Sequence, residues 1–203
     1  MKLAIIGSAL AGGGVQIVDV LLENSASPKL DISDIRIYDD DGEAEDCNVL
    51  GVPVVGSLDR LQIDLSDGLI DSAVIGVGSI APRQLLFRTY SATCLQFPNI
   101  ISTKATVSRS ARLGKGNVIL PHVYIGPRVY IADNNYITTS TTINHDTSVG
   151  SHCYFSTAVS IAGRVQIEDC IRFDTSCSVT ADATVKTNTL IGPGESFGPT
   201  RGL

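Results

Sequence analysis

The sequence has no tryptophan, a single methionine and only three histidines, and its five cysteines form no CxxC pair. Cys47, Cys94, Cys153, Cys170 and Cys177 are an odd, scattered set. Such a set suits a reducing compartment in which thiols act as small hydrophobes. Basic residues are outnumbered: Lys and Arg total 15 against 21 Asp and Glu, for a net charge of −6 and a pI near 4.9. That balance argues against a nucleic-acid binder, which normally shows a basic face, but it leaves anionic small ligands open. No apolar run approaches the roughly 20 residues of a membrane span, so no membrane insertion is expected. Ala9-Leu10-Ala11 resembles a signal-cleavage site. The apolar stretch before it is only about six residues, short of a signal core of roughly 7–15, and a cytoplasmic protein is expected.

What is present divides into two halves. Up to residue 98, strand and helix signals alternate: Lys2–Gly7 (KLAIIG), then VQIVDVLL with helical spacing, then Ile35–Tyr38 (IRIY) closed by Asp39, Asp40 and Asp41. Ala73–Val77 (AVIGV) follows, and after it PRQLLFRTY reads as a helix. Strands alternating with helices predict a small parallel sheet of Rossmann type, an α/β domain.

From residue 99 onward the rule changes. An aliphatic residue or phenylalanine stands at every sixth position from Ile101 through Val107, Leu113 and Ile119 to Phe197, seventeen times without a slip. Neither the helical nor the strand period produces this; it is the hexapeptide repeat of a parallel β-helix. The residue two places before each is mostly small or β-branched, as at Ala105, Thr141, Thr147, Cys153 and Ala183. Each six-residue unit forms one face of a prism, three close a coil, and each inward residue stacks on its counterpart one strand spacing away, about 4.8 Å. Nearly six coils are expected.

Together, KLAIIGSALAGGG, IRIYDDD, GVPVVGSLDRL, AVIGVGSIAPRQLL and the repeat block containing INHDTSVG resemble the PglD-like bacterial nucleotide-aminosugar N-acetyltransferases. The resemblance spans nearly the whole chain. It implies a left-handed β-helix, a homotrimer, a nucleotide-sugar held by domain 1–98, and acetyl-CoA lying between neighbouring helices built by residues 99–203. It further implies a nucleotide-activated amino sugar (UDP-, dTDP- or GDP-linked) and a role in surface glycan or lipopolysaccharide biosynthesis. No metal is expected, because within an eighteen-residue coil the three histidines fall near three different corners.

His145 is the candidate base. It lies two places after the inward Ile143, hence outside the core near a prism edge, and it matches the family histidine. An amine attacking a thioester carbonyl becomes acidic as the N–C bond forms, and a group titrating near neutrality must take the proton. Asp146 either fixes the tautomer or is an ordinary solvated acid; adjacent residues of an extended chain point apart, so the pair needs a corner. His122 and His152 fall near other corners and are expected at the surface. An oxyanion donor is expected from a corner backbone N–H. The resemblance sets the thioester and pantetheine near Gly163, with Ala162 beside it, though Gly163 reads equally as a turn glycine.

Three departures from the family pattern are Asn144 in place of an acid, Tyr154 in place of a second histidine and so an altered coenzyme A contact, and the ending GESFGPTRGL. Glu168 and Asp174, where glycine is common, mark the later coils as atypical. For the nucleotide-sugar, Gly7, Ser8, Gly12, Gly13 and Gly14 form a strand-to-helix loop of the phosphate-cradling kind, without a clean GxGxxG. Asp39 and Asp40 are placed to accept from a nucleoside, and Gly78, Ser79 and Arg83 follow the third strand, with Arg83 facing a phosphate. Each also reads as a turn, cap or solvated helix residue. A sugar O-acetyltransferase, an NAD-type oxidoreductase and a non-catalytic trimeric scaffold are the competing readings.

Overall fold

The computed structural model describes residues 1–7, 12–24, 34–44 and 47–198. It divides into two compact units, Met1–Ser102 and Thr103–Leu203.

The first unit holds a mixed five-stranded sheet with helices. Its strands are β1 (Leu3–Ile6), β2 (Ile35–Tyr38), β3 (Asn48–Val49), β4 (Val52–Gly56) and β5 (Ser72–Ile75), in the order β3-β4-β2-β1-β5. β4, β2, β1 and β5 run parallel, whereas β3 pairs antiparallel with β4. The expected parallel sheet is present in these four strands, and the edge hairpin makes the whole sheet mixed. Its two-residue loop, Leu50-Gly51, has positive φ at both positions (51° and 93°), the geometry that matches strand twist in a tight hairpin. The Asn48 side chain accepts from Gly51 N at 2.6 Å.

Helices α1 (Gly12–Asn24), α2 (Leu58–Ser66) and α3 (Ile80–Ser91) each present a stripe to the core. In α1 the buried residues are Gly14, Ile17, Val18, Val20 and Leu21, of which Gly14, Ile17, Val18 and Leu21 follow i, i+3, i+4, i+7. In α3 it is Arg83, Phe87 and Tyr90. Glycines 12–14 are therefore the first turn of α1 rather than a loop; Ser8 lies outside the described residues. Asp64 of α2 is buried and accepts from Tyr38 Oη and Arg60 Nε, both at 2.7 Å. Burial opposes its charge, but these two donors win and hold its carboxyl below the usual carboxylate range.

The second unit is a stack of short parallel strands in β-helical register. Tyr124 and Ile125 pair with Thr142 and Ile143, which pair with Ser160 and Ile161, always eighteen residues on. The every-sixth residues from Ile119 to Ile191 are buried, while Val107, Leu113 and Phe197 near the ends are half-buried. Phe155 and Phe173 stack inside with centroids 4.5 Å apart. Two places earlier in the unit, Asn117 and Asn135 replace the usual small residue and form a buried ladder. Asn117 Oδ1 accepts from Asn135 N at 2.9 Å, and Asn135 Oδ1 accepts from Cys153 N at 2.8 Å. Burial pushes the Cys153 thiol up to about 12 and the Cys177 thiol up to about 11, as suits thiols that serve as apolar filling.

Corners carry the fold's regularity. His122, Arg128, Asn134, Ser140, Asp146, His152 and every sixth residue to Asn188 have φ near +60°. Most of their N–H groups donate to the carbonyl nineteen residues back, as Asp146 N does to Pro127 O (3.1 Å) and Arg164 N to His145 O (2.9 Å). The left-handed conformation costs an L-residue about 1–2 kcal/mol, which these bonds offset. Ala158 is exposed and at φ 60°, so its methyl group has little burial to lose. Ala158→Gly is therefore expected to stabilise the protein, by up to about 1 kcal/mol; a higher urea midpoint with unchanged slope checks it.

Candidate active site

His145 and Asp146 stand at one such corner. Because Asp146 takes φ 60°, the chain bends and two neighbouring side chains that would diverge in a strand converge instead. Asp146 Oδ2 accepts from His145 Nδ1 at 2.8 Å. With Nδ1 so engaged, Nε2 carries the lone pair of the neutral ring. The His145 side chain is 49% exposed and that of Asp146 31%, so the ring is outside the interior column, as its position two after Ile143 requires.

The ring lies against Gly163, one coil on. A Cβ built on Gly163 would meet His145 Cε1 and Nε2, both at 2.8 Å, so only glycine leaves room for the imidazole there. Gly163 N has no hydrogen-bond acceptor among the described residues, leaving a fixed donor beside the ring. Ala162 is not equivalent: its N–H is committed to Val179 O at 3.0 Å, and its carbonyl accepts from Thr147 Oγ1 at 3.0 Å. Asn144 braces the same turn, donating from Nδ2 to Ile161 O at 2.9 Å.

Arg128, which sequence reasoning missed, donates to both oxygens of Asp146, Nε to Oδ1 at 2.6 Å and Nη2 to Oδ2 at 2.7 Å. First this guanidinium and then the His145 ring hold the Asp146 carboxyl well below the usual carboxylate range. The signal for Arg128 was its eighteen-residue offset from Asp146, which puts the two on one corner.

Tyr154 is half-buried in an outer ladder, stacked on Tyr136 (5.6 Å) with the Arg172 guanidinium 4.9 Å from its centroid. The three histidines lie at three different corners. His122 is exposed as expected, but the surface position expected for His152 is corrected: it is buried, and Asn134 Nδ2 donates to its Nδ1 at 2.9 Å. No group of three or more His, Cys, Asp or Glu able to hold a metal occurs among the described residues. No helix among them is long and apolar enough to cross a membrane.

In the first unit, a cavity of about 510 Å³ opens at the carboxyl ends of β1, β2 and β5, lined by Gly7, Asp39, Asp40, Asp41, Leu58 and Leu85 among others. Ligands of open α/β sheets bind at such ends. A neighbouring cavity of about 250 Å³ shares the three aspartates. Asp40 also has a structural task, since its Oδ1 accepts from Leu58 N at the start of α2 (2.8 Å). Gly7 is at φ 79°, and a Cβ there would lie 2.5 Å from Val77 Cγ2. Gly78 is half-buried, and Ser79 is the exposed N-cap of α3. The expectation that Arg83 meets a phosphate is corrected: the side chain is fully buried, and its Nη1 donates to Ile75 O at 2.6 Å and Val77 O at 3.3 Å.

Among solved structures, a histidine-to-alanine variant of GDP-perosamine N-acetyl transferase from Caulobacter crescentus, in complex with CoA and GDP-perosamine, superposes with a TM-score of 0.86. It is 26% identical, over 98% of this chain and 89% of that one. A histidine-to-asparagine variant of the Caulobacter enzyme, with the same two ligands, gives 0.85 at 26% identity and the same coverage. The acetyltransferase domain of PglB from Neisseria gonorrhoeae, in complex with acetyl coenzyme A, gives 0.83 at 23% identity over 95% and 89%. These neighbours are thus perosamine N-acetyltransferases and an acetyltransferase domain, and this chain shares their fold. No protein-family model matches the chain, and no curated protein sequence is similar to it.

Two outcomes follow from the corner geometry. Gly163→Ala is expected to displace the imidazole and break the 2.8 Å contact to Asp146 without unfolding the column; a shifted His145 ring resonance with native circular dichroism checks it. Asp146, whose folded pKa is depressed, contributes stability that is complete above its unfolded value of about 3.9 and is lost as the pH falls through the lower folded value. Asp146→Asn is thus expected to lower the urea midpoint at pH 7 and to lose that effect as the solution is acidified below about pH 3.9.

Proposed function

We propose that this protein is an acetyl-CoA-dependent N-acetyltransferase that acylates the amino group of a nucleotide-linked 4-amino-4,6-dideoxy sugar for surface glycan biosynthesis. The observation that carries the reading is the His145 ring, oriented by Asp146 and seated against Gly163, whose N–H has no acceptor among the described residues. The likeness at 26% identity to enzymes bound to CoA and GDP-perosamine supports the substrate class.

In this reading the sugar amine attacks the thioester carbonyl, and a carbon–nitrogen bond forms as the carbonyl π pair moves to oxygen. Gly163 N–H donates to that oxyanion, where a preorganised dipole is worth more than water. His145 Nε2 takes the proton that the nitrogen sheds, and Asp146 stabilises the imidazolium. Collapse of the intermediate breaks the carbon–sulfur bond, and the proton on His145 passes to the departing thiolate, so acetyl-CoA and amine become amide and free CoA thiol. Ala162 and Tyr154 border the thioester and pantetheine.

Residues 1–98 bind the nucleotide, with Gly7, Ser8, Gly12, Gly13 and Gly14 near the phosphates, Asp39 and Asp40 accepting from the nucleoside, and Gly78 and Ser79 beside them. Leu58, Val77 and Leu85 line the base's pocket. Residues 99–203 carry out acyl transfer. The reading includes a Rossmann-like first domain, a left-handed coil, a homotrimer with acetyl-CoA between neighbouring copies, and a cytoplasmic location.

His145→Ala is expected to lower acyl transfer by about 10²–10⁴-fold with the fold intact. Thiol release from acetyl-CoA, followed with a panel of UDP-, dTDP- and GDP-linked aminosugars and their hydroxyl counterparts, checks this. Unchanged turnover in the variant would remove the mechanism, and activity on the hydroxyl sugars alone would turn the assignment to O-acetylation.

A further inference from the structure

The acid that orients the imidazole is itself gripped from below. Arg128 occupies the same corner as Asp146, one coil earlier, and has the same left-handed backbone (φ 58°). The shared conformation aims both side chains along one line. Its guanidinium meets the carboxylate fork to fork, at 2.6 and 2.7 Å, the arrangement that gives a charge-assisted pair directional control as well as strength. Asp146 Oδ2 accepts at once from Arg128 Nη2 and His145 Nδ1.

Arg128's own backbone is fastened too, its N–H donating to Ser110 Oγ at 3.1 Å. The next arginine up this corner, Arg164, does not compete for Asp146, because it forks onto Asp182 at 2.6 and 3.0 Å. A carboxylate 31% exposed at a corner would otherwise turn about its side-chain torsions and swing the ring with it. The fork fixes the carboxylate plane. It also neutralises charge that would otherwise act on the imidazolium alone.

We propose that Arg128 is a positioning residue for the base: it locks Asp146 and, through it, the His145 ring. The inference rests on the acyltransferase reading. A rival role is open to test, because Arg128 also lines a cleft of about 650 Å³ with Arg109, Arg112 and Tyr130, and a ligand contact there would show in KM rather than kcat.

The test compares full-length wild type, Arg128→Met, Arg128→Lys and His145→Ala. The assay uses acetyl-CoA with whichever panel sugar gives the fastest thiol release, and ring NMR of His145 is recorded in each form that retains it. In Arg128→Met, kcat is expected to fall by about 10- to 100-fold, the scale of a misplaced catalytic group, with KM for both substrates within about twofold. The acidic limb of the kcat profile and the ring's NMR midpoint should both move to higher pH, since Asp146 then offers its full charge to the imidazolium. Arg128→Lys keeps the charge without the fork, so it should restore the limb but not kcat.

Wild-type kcat and an unmoved ring midpoint in Arg128→Met, with His145→Ala inactive, would overturn the proposal and leave the acyltransferase reading standing. A raised KM at unchanged kcat would overturn it in favour of a ligand contact. If no sugar is acetylated, or His145→Ala keeps its turnover, the acyltransferase reading fails instead. The ring midpoint then still decides whether Arg128 governs the dyad.

Discussion

From Gly116 to Gly194 every sixth residue turns the chain through a positive φ, and most of these turns are fastened by the same backbone bond to the coil below. This repeated corner, rather than the apolar filling alone, assembles the candidate site. Aliphatic stacking needs only that inward positions face inward. The corner additionally sets which side chains from successive coils share a line, and so lets Arg128, Asp146, Arg164 and Asp182 meet in pairs. It also makes Asp146 turn back onto its own neighbour, His145.

The chemistry on that corner divides the labour cleanly. In the proposed reaction the His145 imidazole is the base. Under that proposal a carboxylate kept ionised supplies orientation, and Gly163 supplies space together with an N–H that has no acceptor among the described residues. None of the three would serve alone. An imidazole free to rotate would present Nε2 only part of the time, and any side chain at Gly163 would occupy the place where the ring now rests.

Much of this was legible in the sequence, for a steric reason. A six-residue prism face admits one inward residue per turn, so the period from Ile119 to Ile191 is written plainly. His145 could be set outside the column by counting from Ile143, and its pairing with Asp146 was conditional on a corner, which the backbone supplies. What stayed hidden depends on partners far away in sequence. Arg128 meets Asp146 only because a coil has eighteen residues. The Asn117–Asn135 ladder looks locally like two polar residues in a core. Arg83 was misread because a strand-end arginine suggests a phosphate; here carbonyls of Ile75 and Val77 take up its Nη1. Leu50 carries no turn signal, yet with Gly51 it makes the hairpin that adds an antiparallel edge to the parallel sheet.

The eighteen-residue register also bears on how such a chain changes over generations. Gain or loss of a whole coil keeps inward residues inward and each corner on its own edge, so the column can lengthen or shorten like a stack of identical plates. An insertion of six residues keeps the apolar pattern but rotates everything beyond it by one face. Placed between Asp146 and Gly163, it would carry the glycine to a different edge and strand the imidazole, although a hydropathy profile would look untouched. Whole-coil changes therefore conserve both fold and chemistry, whereas single-face changes conserve only the fold.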